Sequence, residues 1–77
     1  MTYWSSGGEI LASGVGAISL ADAEALLSLH RDEARAATEV RSPEAFSRAH
    51  RLAAELGEAL SRARLWRRAS GVVRFSP

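Results

Sequence analysis

The chain has no cysteine, so neither a disulfide nor a thiolate-bound metal can hold it together. It also has no lysine: all ten basic residues are arginine. Aromatic side chains make up only 6% of its residues and proline occurs twice. No apolar run approaches the roughly 20 residues that a membrane-spanning helix needs, since the stretch Ile10–Ala21 is broken by glycine. No positive charge precedes that stretch in Met1–Glu9, which argues against a secretory leader and for a cytoplasmic protein or an intracellularly assembled particle. At 77 residues there is room for one domain, and a domain this small buries only about 60% of its unfolded surface. Without disulfides or a structural metal, association with another chain is the remaining way to gain stability.

What is present is charge of opposite sign in two halves. Residues 1–40 carry two arginines against six acids, a balance of −4. Residues 41–77 carry eight arginines against three acids, a balance of +5, and the whole chain stands at +1.

Hydrophobic spacing predicts two helices, over about 19–41 and 43–70. Ser19-Leu-Ala-Asp22 supplies an N-cap hydroxyl with an acid three residues on. Leu20, Ala23, Leu26, Leu27, His30, Ala34 and Ala37 then share one arc of a helical wheel. Ser42-Pro43-Glu44 is the strongest start signal: an N-cap serine, a proline whose missing N–H costs nothing there, and an acid at the positive end of the helix. The second apolar arc is Phe46, Ala49, Leu52, Ala53, Leu56, Leu60 and Ala63, and Ser70-Gly71 reads as its stop. A turn at Val40-Arg41-Ser42-Pro43 is so short that the helices must fold back antiparallel. Facing layers then pair Ala23 with Leu60, Leu27 with Leu56, His30 with Ala53, Ala34 with Ala49, and Ala37 with Phe46. Gly57 sits mid-helix at a cost of about 1 kcal/mol relative to Ala, and close packing through Ala53-x-x-x-Gly57 would account for it.

The expected fold is therefore all-α: an antiparallel two-helix hairpin over 19–70. Residues 1–18 form a Gly/Ser-rich N-terminal arm, extended or holding a short strand, and 71–77 an extended tail.

The residues carry little catalytic or metal chemistry. His30 and His50 are the only imidazoles, and their spacing matches no metal-ligand pair on one helix. A hydrogen bond between His50 and Glu33 across the helix pair is the expectation. Ser13-Gly14-Val15-Gly16-Ala17-Ile18-Ser19 leads into a helix but lacks the third glycine or the lysine of a phosphate-binding loop. The serines sit at caps, turns and tails, where local hydrogen bonding explains them. No enzyme activity, cofactor or metal is expected.

Surplus apolar surface is the stronger signal. Leu26, Leu29, Val40, Leu52 and Trp66 flank the seam, and Tyr3, Trp4, Val72 and Phe75 lie in the two arms. These nine residues are the expected partner interface, and the arm has too few apolar groups to cover the hairpin alone. The function expected is that of a small structural or interaction subunit, docking by hairpin and arms into a homo- or hetero-oligomeric assembly such as a phage-like particle. The alternative is an antitoxin-like, nucleic-acid-associated regulator using Arg62, Arg64, Arg67, Arg68 and Arg74, interleaved with aromatics. A net charge of +1 is low for that role, so a protein partner ranks ahead of nucleic acid.

Overall fold

The computed structural model describes residues 1–75, with side chains through Ser70. Its element order is β1 (Tyr3–Ser6), β2 (Glu9–Ala12), β3 (Gly16–Ile18), α1 (Leu20–Glu39) and α2 (Pro43–Phe75). The fold is α+β, which corrects the all-α expectation: the arm is a three-stranded antiparallel sheet in the order β1-β2-β3.

Two tight turns build that sheet. Gly7 takes φ +61 at the first position of the two-residue β1–β2 loop, the place a II′ hairpin reserves for glycine. The β2–β3 turn is closed by Val15 N–H donating to the Ala12 carbonyl at 3.1 Å, with Gly14 at φ +80. The register sets Tyr3 against Ala12, Ser5 against Ile10, and Ile10 against Ile18. Side chains alternate across a strand, so one face carries Tyr3, Ile10, Ala12 and Ile18 into the core, and Trp4, Leu11 and Ala17 take the other.

The helical hairpin forms as its caps dictate. Ser19 Oγ accepts from Asp22 N–H at 3.0 Å and starts α1. At the other end Ser42 N–H donates to the Ala37 carbonyl at 2.9 Å and Arg41 N–H to that of Thr38 at 3.2 Å. These paired bonds make a Schellman stop, whose left-handed position is filled by Arg41 at φ +56. Ser42 Oγ then caps α2 through Ala45 N–H at 3.4 Å.

The second helix runs through Gly71 to Phe75, so the extended tail expected from residue 71 is instead helical to 75. Gly71 permits a stop without forcing one, since glycine inside a helix costs only about 1 kcal/mol. Gly57 is corrected as well: a Cβ there would meet only Leu27 Cδ1, at 4.0 Å, so no close approach requires glycine.

The core joins sheet and hairpin: Tyr3, Ile10 and Ala12 pack with Ala23, Leu27, Leu56, Ala59, Leu60 and Ala63. Sheet and core thus occupy the half of the hairpin away from its turn. The arm covers more than its sparse apolar content suggested, because strand alternation concentrates that content on one face. The molecule is 56 Å long and only 22 × 16 Å across. Among the described residues no helix is long and apolar enough to cross a membrane.

Candidate interaction surface

A buried polar chain fixes where the sheet ends on the helices. The Tyr3 hydroxyl lies 2.8 Å from His30 Nε2, and His30 Nδ1 lies 2.9 Å from Glu33 Oε1. Burial raises the Tyr3 pKa above its ordinary value, with the nearby Glu33 and Glu55 carboxylates adding to the effect. The Glu33 carboxylate can only accept, so His30 Nδ1–H donates to it, and the other ring nitrogen, Nε2, accepts from the Tyr3 hydroxyl. Tyr3 N–H donates in turn to Glu55 Oε1 at 3.2 Å. With Tyr3 only 4% exposed and His30 only 7%, this chain acts as a clamp between β1, α1 and α2. The expected His50–Glu33 bond is replaced by His30–Glu33, one turn apart on the same helix. His50 instead stacks on Phe46, ring centroids 5.4 Å apart and nearly parallel.

A second strap crosses the β1–β2 turn. Arg67 Nε donates to the Gly8 carbonyl at 2.7 Å. The Trp66 ring lies against the glycines, and a Cβ on Gly8 would fall 2.9 Å from both Trp66 Cε3 and Arg67 Cγ.

Beyond the clamp the hairpin is bare. On α1, Leu29, Ala36 and Val40 recur at helical spacing, and Leu29 (52% exposed) and Val40 (74%) face solvent. Ala36 and Val40 border a hollow of about 340 Å³ whose far wall on α2 includes Ala45 and Leu52. Around the turn itself, Pro43 and Phe46 line another of about 400 Å³. Phe46, expected opposite Ala37 in the seam, is 39% exposed at this end, and no spacing rule separated it from the seam residues.

The other expected interface residues divide by surroundings. Tyr3 is withdrawn from any partner, because the clamp uses its hydroxyl and the core its ring. Leu26 and Leu52 are half-buried against the core. Trp4 is exposed on the outer sheet face, and Trp66 is exposed where it does not touch the glycines. The side chains of Val72, Phe75 and Arg74 lie outside the described residues.

The basic segment is largely engaged within the chain. Arg62 pairs with Glu58 at 2.8 Å, Arg64 with Glu24 across the two helices, and Arg67 with Gly8. Among the described residues, Arg68 alone of these four makes no such contact. Among the described residues no three His, Asp or Glu side chains converge as a metal site would require. No protein-family model, curated protein or solved structure matches this chain.

Proposed function

We propose that this protein is a small non-enzymatic interaction subunit that docks by its helical hairpin into a homo- or hetero-oligomeric assembly. The observation that carries the reading is the bare turn half of the hairpin. There Ala36 and Val40 on α1 and the facing Ala45 and Leu52 have no third layer over them. Fully burying a Leu or Val is worth about 1.5–3 kcal/mol. Covering these residues would therefore add several kcal/mol to a chain of this length, whose whole stability is expected at about 4–12 kcal/mol. The clamp supports the same division of labour: it locks the sheet to one half and leaves the other for docking. The nucleic-acid alternative finds less support, because Arg62, Arg64 and Arg67 are already engaged by Glu58, Glu24 and Gly8.

Light scattering combined with circular dichroism tests the proposal. The purified chain is expected to run as a defined oligomer, or to be marginally stable when dilute. A compact monomer with high stability at every concentration overturns it.

A further inference from the structure

Gly57, the mid-helix glycine that helix packing does not require, opens onto a polar hollow. Glu24, Ser28 and Arg31 follow one another at i, i+4 and i+7 on α1, and Gly57, Ser61 and Arg64 repeat that spacing on α2. Residues so spaced share one side of a helix. The two rows line a hollow of about 330 Å³ between the helices. Glycine is a poor residue for the middle of a helix, yet here it keeps the wall open: a Cβ would meet only Leu27 Cδ1, at 4.0 Å. The hollow shares no residue with the docking groove of Ala36, Val40, Ala45 and Leu52, so what it does is independent of the docking reading.

The donors around it are not used up within the chain. Among the described residues Arg31 forms no ion pair, and neither the Ser28 nor the Ser61 hydroxyl makes a hydrogen bond. Arg64 is held by Glu24, so two guanidiniums and one carboxylate leave the lining at +1. The neighbouring pairs Asp32–Arg35 and Glu58–Arg62 close on themselves.

We infer that this hollow binds a small polyol phosphate of the sugar-phosphate class. Arg31 donates to the phosphate oxygens, as a guanidinium without a competing carboxylate does well. The Ser28 and Ser61 hydroxyls exchange hydrogen bonds with the hydroxyls of the ligand. Glu24 keeps Arg64 and accepts from a further ligand hydroxyl, which gives an acid a use beside an anion. Bare phosphate would leave both serines and Glu24 without a role, and a neutral sugar would leave Arg31 without one. The volume lies at the lower end of the range for small-molecule sites, about 300–1,000 Å³.

Isothermal titration of the full chain with glucose 6-phosphate tests this, with glucose and inorganic phosphate as separate arms and circular dichroism to show that each variant folds. Saturable binding of glucose 6-phosphate is expected, with inorganic phosphate weaker by about threefold or more and glucose weaker by about tenfold or more. Arg31→Gln removes the phosphate donor and should weaken binding by about tenfold or more. Gly57→Leu fills the hollow without changing any charge, and should weaken it at least as much while the helices stay folded. No saturation up to about 10 mM glucose 6-phosphate overturns the inference. So does either control arm binding as tightly as glucose 6-phosphate, or wild-type affinity in either folded variant.

Discussion

Replacing Tyr3 with phenylalanine tests the clamp at the level of one atom. The ring stays in the core, while His30 Nε2 loses a donor at 2.8 Å in a site only 7% exposed. A buried acceptor left without a partner costs about 1–3 kcal/mol. In a domain of 60–100 residues, each kcal/mol lowers Tm by about 4–8 °C. Urea unfolding followed by circular dichroism reads the loss directly.

The pH dependence of the same variant gives a second, cleaner signature. Tyr3 is the only tyrosine and there is no lysine. With no cysteine either, Tyr3 is the side chain whose titration the alkaline range reads. Its folded-state pKa is raised above the ordinary value near 10. Its contribution to stability is therefore complete below pH 10 and is lost as the pH rises through the folded value. The slope there cannot exceed about 1.4 kcal/mol per pH unit for one proton. Wild type should show that falling limb and Tyr3→Phe should lack it. A phenylalanine variant with wild-type stability, or with the alkaline limb intact, would refute the clamp.

Arg41 holds the left-handed stop of α1, a conformation that costs a non-glycine residue about 1–2 kcal/mol. Allowing for the greater freedom of an unfolded glycine, Arg41→Gly should stabilise the chain by about 0.5–1 kcal/mol in urea titrations; destabilisation would contradict the Schellman geometry. Gly57→Ala should add about 1 kcal/mol and raise Tm, because the new methyl meets only Leu27 Cδ1 at 4.0 Å. A fall in Tm would show that the helices approach more closely than described. The Arg64–Glu24 pair is about half exposed on both sides. Glu24→Gln should cost less than about 1 kcal/mol, with the loss shrinking in added salt, and a larger, salt-independent loss would point to a buried role.

The hairpin was legible because its signals are local. Ser19, Ser42 and Pro43 each act within one turn of themselves, and the short connection leaves an antiparallel pair as the outcome. The sheet was not legible as such, because strands of three or four residues carry almost no periodicity. One usable signal was present: Gly7-Gly8 between Tyr3–Ser6 and Glu9–Ala12 fits a two-residue hairpin. The clamp was beyond reach, since it joins residues 27 and 52 positions apart through single hydrogen bonds. Trp66 and Arg67 illustrate the same limit. As sequence they resemble a basic-aromatic surface, yet their partners are Gly7 and Gly8 far along the chain, and Gly8 leaves room for them by lacking a side chain. Leu29 and Val40 are exposed, on an arc of α1 that turns away from the seam. Tyr3, by contrast, is buried in the core among neighbours distant in sequence.

Sheet and clamp hold one half of the hairpin, and under the docking proposed above the turn half is the part another chain would cover. Amide hydrogen exchange on the dilute protein tests it most directly. Helical amides beside the sheet, at 23–32 and 55–64, should exchange slowly, and those at 33–52 much faster, slowing as the assembly forms. Equal protection along both helices in a dilute monomer would contradict the account.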